Sequence, residues 1–413
     1  MNNYTLKELT LNLIDGKHGG CDEKKGSGYY FISVKDLRPY FIDYSGAKEI
    51  SKQDFEQCNR RTKLETYDII YANSGDTIGK SVFIENEDNV NCTTFQKSVA
   101  ILKPNQALIY PKYLYYLMKY ETPRLRKLAS GSAQKNLLLD TMKKFTVSIP
   151  DKEEQLKILK KISPFDDLIK NNINEIEFIQ KYLSKLYNYW FVEFNFPNKD
   201  GKEYVKNHGA LIFDDKIKCN IPVGWKAENL YDCSLYEIIK PGLEKFEFEK
   251  KYLATGNISN EEFDEGKPIT FYERETRANM QPVSKSIWFA KMKKSIKHIT
   301  IPCKSVEFVS NYILSTGFIG LKCTNDSLSY IHSYINFSNF ENIKDYYSHG
   351  ATQQAINNED LKKIFIVVPP KDILEKYSKL TNNLIQKRYD LMMFNKKLEK
   401  ERNHLINYLM NKK

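Results

Sequence analysis

Two long stretches of this chain repeat an apolar residue at every seventh position. The first row is Ile169, Ile176, Leu183 and Trp190, with Ile179 and Leu186 in a second seam that Asn172 interrupts. The second is Leu384, Leu391, Leu398 and Leu405, with Phe394 and Tyr408 on the same side. A heptad sustained over several turns predicts a helix pressed against another helix, and two such helices in one chain most simply bury their seams together. Pro164 predicts a kink or break after Ile162. Elsewhere the apolar runs are short and β-rich, at 29–34, 67–71, 82–84, 145–149 and 364–368, between polar and glycine-bearing loops. Residues 4–14 read as the start of a helix or strand. The tyrosines from Tyr113 to Tyr120 fall at helical spacing and are expected in a core.

The chain also repeats itself. Gly350-Ala351-Thr352-Gln353-Gln354 stands 219 residues after Gly131-Ser132-Ala133-Gln134-Lys135, and Lys362-Lys363 and Pro369 match Lys143-Lys144 and Pro150 at the same offset. Upstream, Trp225 to Leu230 echoes Tyr4 to Leu9 at an offset of 221. A period above 200 residues marks a duplicated domain, not a solenoid. The expected order is a globular domain at 1–150, a long helix at 151–195, a linker and second globular domain at 196–370, and a final helix at 371–413. The fold class is therefore α+β, two duplicated α/β domains each followed by a long helix. Paired helices of this length would hold the two domains apart as a pseudo-twofold body able to read a split site on DNA.

Charge narrows the partner. The 413 residues carry a net charge of +11, which favours an anionic partner, nucleic acid before a membrane surface. Between 89 and 139 only Glu121 is acidic, against Lys97, Lys103, Lys112, Lys119, Arg124, Arg126, Lys127 and Lys135. Between 276 and 306 there is no acid, against Arg277, Lys285, Lys291, Lys293, Lys294, Lys297 and Lys304. Such segments suit a face near phosphates; the bland reading is a solvated lysine-rich surface. Seven scattered cysteines without a C-x-x-C pair read as reduced thiols, and no run approaches a membrane span. A cytoplasmic protein is expected.

Catalytic patterns are missing. The six histidines show no metal-ligand spacing, no G-x-S-x-G elbow occurs, and Pro369-Pro370 lacks the flanking residues of an adenine methyltransferase loop. No metal site and no catalytic residue is expected. Residues 73–81 miss a phosphate-binding P-loop: Ser74 stands where its first glycine belongs, and Val82-Phe83-Ile84 follows where a helix should open. A hairpin between two strands is expected there.

Four patterns together resemble the specificity subunits of type I restriction–modification systems. They are Asp15-Gly16-Lys17-His18-Gly19; Ser74-Gly75-Asp76-Thr77-Ile78-Gly79-Lys80; Gly131 to Asn136 leading to Ile149-Pro150 and Glu153-Glu154-Gln155-Leu156-Lys157-Ile158; and Trp288-Phe289-Ala290-Lys291-Met292-Lys293. The second half departs from the pattern, with Asp372-Ile373-Leu374 replacing the Glu-Gln pair and no Asp-Gly-x-His loop. The resemblance implies a non-catalytic subunit whose two target-recognition domains each read half of a bipartite site on double-stranded DNA. It implies helices paired as an antiparallel coiled coil that docks two copies of a DNA adenine methyltransferase subunit, alongside a motor-nuclease subunit. S-adenosylmethionine, ATP and Mg would then belong to those partners. Candidate DNA contacts are Lys17, His18, Lys80, Gln134 and Lys135 in the first domain, and Lys285, Lys291, Lys293, Lys294, Lys297, Gln353 and Gln354 in the second. The competing reading is a coiled-coil assembly protein without specific DNA binding.

Overall fold

The structure, a computed structural model, describes residues 1–85, 88–131, 135–259, 261–350 and 353–411. It divides into two compact units, residues 1–170 with 397–413, and residues 171–396.

In the first unit β1 (Asn2–Thr5), α1 (Leu6–Leu9) and β2 (Thr10–Asp15) open the chain, so the segment expected as helix or strand is both. Thr5 and Glu8 close a capping box around that single helical turn. Next come β3 (Tyr30–Ile32), β4 (Lys48–Glu49), α2 (Lys52–Thr62), β5 (Ile69–Ala72), β6 (Ser81–Phe83), β7 (Thr93–Phe95) and β8 (Val99–Pro104). Then follow α3 (Pro111–Lys127), α4 (Leu139–Lys144), β9 (Thr146–Ile149) and α5 (Lys152–Tyr187). The main sheet runs β2-β8-β5-β6, all antiparallel. Its strands alternate between two cores: Ile69, Tyr71, Ala100 and Leu102 face α3, while Ile70, Ala72, Val99 and Ile101 face Ile32 and Phe95 of a smaller sheet. Burial on both faces explains why these strands read as unbroken apolar runs. Tyr113, Tyr115 and Tyr116 of α3 are buried, as their spacing predicts.

The second unit contains β10 (Leu211–Asp214), β11 (Cys219–Pro222), β12 (Lys226–Asn229), β13 (Tyr236–Ile238), β14 (Lys250–Leu253), β15 (Ile258–Ser259), β16 (Glu262–Phe263) and β17 (Lys267–Ile269). It continues with β18 (Ala278–Met280), β19 (Ser286–Ala290), β20 (His298–Ile301), α6 (Val306–Asn311), β21 (Tyr312–Ser315), β22 (Phe318–Cys323), α7 (Leu328–Asn336) and α8 (Ser338–Tyr347). α9 (Asn358–Leu361), β23 (Phe365–Val368) and α10 (Lys371–Asn411) complete the chain, the last residues of α10 belonging to the first unit. Its main sheet, β13-β22-β19-β20, repeats the order of the first. Each unit adds a smaller sheet around one parallel pair, β3 with β7 and β14 with β21.

The duplication reaches the level of register. β1 pairs with β9, Asn2 opposite Ile149, and β12 pairs with β23, Lys226 opposite Val368. Leu6 N–H donates to the Phe145 carbonyl and Leu230 N–H to that of Ile364. The 219-residue offset therefore holds at the C-terminal strand. At the N-terminal strand Leu230 matches Leu6, not Leu9, an offset of 224 and not 221. Trp225 precedes β12 and packs on Phe191, Phe194 and Phe196, so its likeness to Tyr4 is coincidental.

α5 and α10 pair inside each unit. In the second, Asn172 Nδ2 donates to Asn395 Oδ1 at 2.7 Å, Ile179 and Leu183 meet Ile385, and Trp190 stacks near Tyr377. Position rises on α5 as it falls on α10, so the pair is antiparallel. In the first unit, Ile158, Leu159 and Ile162 share a core with Ile406 and Leu409, and Arg402 pairs with Asp166. α5 runs through Pro164 as one helix, so of the expected kink or break the break does not occur, and it ends in a π-helical turn, Asn188–Val192, that carries Trp190.

The seam of α5 is the expected row, with Ile169, Leu183 and Trp190 buried and Ile176 half-buried. That of α10 is not. Leu384, Leu391, Leu398 and Leu405 are only half-buried and flank it. The buried heptad row is Thr381, Arg388, Asn395, Arg402 and Leu409, with Ile385 and Ile406 between. Polar residues in such a row specify one register at a cost in stability.

Arg388 illustrates how they are satisfied. It pairs with buried Glu261, whose Oε1 accepts from Thr300 Oγ1 at 3.2 Å; Thr300 also bonds His332 Nδ1 at 2.8 Å. Burial opposes charge on Glu261, but Arg388, His332 and His298 together hold its carboxyl below the usual range. Burial lowers the His332 pKa to about 4, against the opposing pull of Glu261. The unfolded imidazole binds a proton near pH 6.5 that the folded one refuses until about pH 4. Stability of this unit should fall as pH drops through that window, by up to about 1.4 kcal/mol per pH unit, and be flat above it. His332→Gln should flatten the slope in urea-midpoint measurements between pH 4.5 and 6.5; an unaltered slope would assign it to other groups.

Candidate nucleic-acid interface

Sheet topology selects one edge of each unit. β2 and β5 both run antiparallel to β8, so their C-terminal ends lie together at the start of β8. Lys17 N–H donates to the Phe95 carbonyl, Lys97 N–H to that of Lys17, and Asn73 N–H to that of Ser98, all within 2.9–3.0 Å. The polar loop found in the sequence closes onto this edge. Gly75 N–H donates to the Lys135 carbonyl at 2.7 Å and Leu137 N–H to that of Asn73 at 2.8 Å, while Ser130 and Asn136 exchange backbone bonds. Residues 73–80 form the expected hairpin connection between β5 and β6, not a P-loop.

The second unit repeats this construction. Lys291 N–H donates to Gly317 and Lys293 N–H to Gln354, both at 2.9 Å; Ile356 N–H donates to Lys291 at 3.0 Å, and His349 and Ala355 exchange bonds as Ser130 and Asn136 do. Gly350 has φ +134°, and a Cβ there would lie 2.5 Å from the Gln353 carbonyl oxygen, which is why this loop begins with glycine. Gly131, its counterpart, has φ +129°.

The first edge thus gathers Lys17, His18, Lys97 and Lys135, the last two exposed. Gln134 lies outside the described residues. Lys80 is a correction: its Nζ donates to the Val34 carbonyl at 3.3 Å, and burial, with Arg38 nearby, lowers its pKa. The second edge gathers Lys291, Lys293, Lys294, Gln353 and Gln354. Lys294 is exposed, its N–H held by Asp345; Lys291 is half-buried, and burial lowers its pKa. Two other lysines do not join them. Lys297 Nζ donates to the Thr255 carbonyl at 2.6 Å, and Lys285 sits at the far end of β19 from Lys291.

Apart from Lys97, Lys127 and Lys135, which stay exposed, the basic residues of the acid-poor run at 89–139 do not form a cationic face. Lys103 pairs with Asp68 and Glu65, Lys112 with Glu85 and Asp167, and Arg124 with Glu121, while Arg126 donates to the Ile78 carbonyl. Lys119 lies over the Tyr115 ring, its pKa brought down to about 8 by burial and Arg402. Sequence reasoning named Asp15 only as part of a motif, and it missed Gln57 and Arg61. With Lys17, His18 and Cys58, the last two line a cleft of about 310 Å³, and their signal was the amphipathic spacing of α2, with Phe55, Cys58 and Thr62 buried and Gln57 and Arg61 outward.

Residues 15–178 match the family described as Type I restriction modification DNA specificity domain. That stretch is similar to a type I specificity domain. That match begins at Asp15, spans the whole first edge and extends into α5. Relatives extend the likeness beyond it. The type I restriction enzyme MjaIX specificity subunit of Methanocaldococcus jannaschii is 27% identical over 376 residues, 88% of this chain and 81% of that protein. The putative MjaX specificity subunit of the same organism is 22% identical over 424 residues, 98% of this chain and 91% of that protein. A solved type I restriction–modification S subunit from M. genitalium covers 99% of this chain and 95% of its own, at 14% identity and a TM-score of 0.48. The repeated edge of the second unit lies outside the matched specificity domain, but within the stretch aligned to the MjaX subunit. Among the described residues no helix is long and apolar enough to cross a membrane, and no group of three His, Cys, Asp or Glu side chains could hold a metal ion.

Proposed function

We propose that this chain is the non-catalytic DNA-recognition subunit of a type I restriction–modification complex. Each unit reads one half of a bipartite site, and the paired helices dock methyltransferase subunits, two copies in all, beside a motor-nuclease subunit. S-adenosylmethionine, ATP and Mg would serve those partners. The observation that carries this reading is the repeated edge: in both halves a glycine-led polar loop is bonded to the same strand-end loop, beside exposed lysines. Two copies of one reading device suit two half-sites better than a scaffold, which would need neither. The likeness to specificity subunits over most of the chain supports the same view.

Fluorescence anisotropy with duplexes carrying the adenine-methylated site of the source genome tests it. The chain, alone or with its methyltransferase partner, should retain those duplexes at moderate salt at least about a thousandfold more tightly than unrelated duplexes. Equal retention of both would reject sequence-specific recognition.

A further inference from the structure

The cleft lined by Lys17, His18, Gln57, Cys58 and Arg61 is built around a buried carboxylate. Asp15, at the end of β2, is 5% exposed. Its Oδ1 pairs with Arg61 Nη2 and its Oδ2 lies 3.5 Å from His18 Nε2. Asp15 thus holds two side chains that remain half exposed, Arg61 at 51% and His18 at 56%. Lys17 is balanced too, with Asp54 at 4.0 Å and its Nζ 3.5 Å from Cys21 Sγ. α2, which carries Gln57, Cys58 and Arg61, is anchored at both ends: Ser51 caps it, and Thr62 Oγ1 meets Thr94 Oγ1 at 3.1 Å.

This balance separates two uses of an arginine. A phosphate site gains from uncompensated positive charge and tolerates any approach direction. Here Asp15 offsets Arg61 and Asp54 offsets Lys17, which weakens phosphate attraction. What remains is a half-exposed guanidinium lining the cleft and held on one side by Asp15, so that its fork has a fixed partner, the arrangement that discriminates a base edge. Gln57 stands four residues before Arg61 and so on the same helical face.

The geometry points to a base-reading pocket in the first unit: Arg61 recognises a guanine through O6 and N7, Gln57 serves the neighbouring base, and Asp15 is the positioning residue for Arg61. This rests on the DNA-recognition reading above and adds the residues and base class to it.

The test uses the full chain and duplexes carrying its methylated site, with each G·C pair of both half-sites replaced in turn. Wild type should lose about 10–100-fold at one G·C pair contacted by the first unit. Arg61→Ala and Arg61→Lys should bind the cognate duplex no better than the duplex altered at that pair, with affinity for unrelated DNA and the salt slope unchanged. Asp15→Asn should reduce the same discrimination and no other; Arg61→Lys, which keeps the charge beside Asp15, covers the case in which Asp15→Asn fails to fold. Discrimination unchanged in Arg61→Lys would overturn the inference. So would a uniform loss on all sequences with a shallower salt slope in Arg61→Ala, the mark of a phosphate contact. A wild-type chain without sequence preference would instead defeat DNA recognition itself.

Discussion

Replacing Arg402 with leucine should destabilise the first unit by about 3–5 kcal/mol. Arg402 and Asp166 are 5% and 2% exposed and meet at 2.5 Å across α10 and α5. Tyr116 donates its hydroxyl to the other Asp166 oxygen, and Arg402 also reaches the Tyr40 hydroxyl. Burial would raise the Asp166 carboxyl, yet Arg402 and then Lys119 outweigh it and hold it below the usual carboxylate range. Without Arg402 that carboxylate remains buried with far less compensation. The double variant Asp166→Leu/Arg402→Leu should recover most of the loss, because removing both charges also removes their desolvation cost. All three tryptophans, Trp190, Trp225 and Trp288, lie in the second unit, so the readout must be amide hydrogen exchange over 152–170 and 397–411. Protection unchanged in the single variant would show that the pair does not secure this seam.

The triple variant Lys291→Ala/Lys293→Ala/Lys294→Ala should lower DNA affinity roughly a hundredfold near physiological salt and reduce the slope of log affinity against log salt by about 2. A full contribution from three lysines would approach a change of about 2.7; the half-burial of Lys291 and Lys293 argues for somewhat less. The backbone of this loop is held by Gln354, Gly317 and Asp345, so alanine leaves its frame intact. Lys285→Ala, at the other end of the strand, and Lys297→Ala, whose charge caps a carbonyl, should leave the slope unchanged. A slope unchanged in the triple variant would remove this edge from the DNA interface.

Much of this architecture was legible in the sequence because its signals are local or periodic. The 219-residue repeat exposed the duplicated loop and strand, and the α5 heptad located Asn172, whose partner proved to be Asn395. The failures share a cause: pattern cannot show a partner distant in the chain. The leucines of α10 looked like its seam, while the true centre carries Arg388, Asn395 and Arg402, polar residues made buriable by Glu261, Asn172 and Asp166. The run at 89–139 looked cationic because Asp68, Glu85 and Asp167 lie outside it. Arg61 was overlooked because Asp15, which gives it direction, stands 46 residues away.

Hydroxyl-radical footprinting of the wild-type chain on its methylated site tests the two-edge account most directly. Two separated patches of protection are expected. The Lys291/Lys293/Lys294 triple variant should lose one patch, and Lys97→Ala/Lys135→Ala should weaken the other. A single continuous patch, or loss of both patches from variants of one unit, would contradict the account.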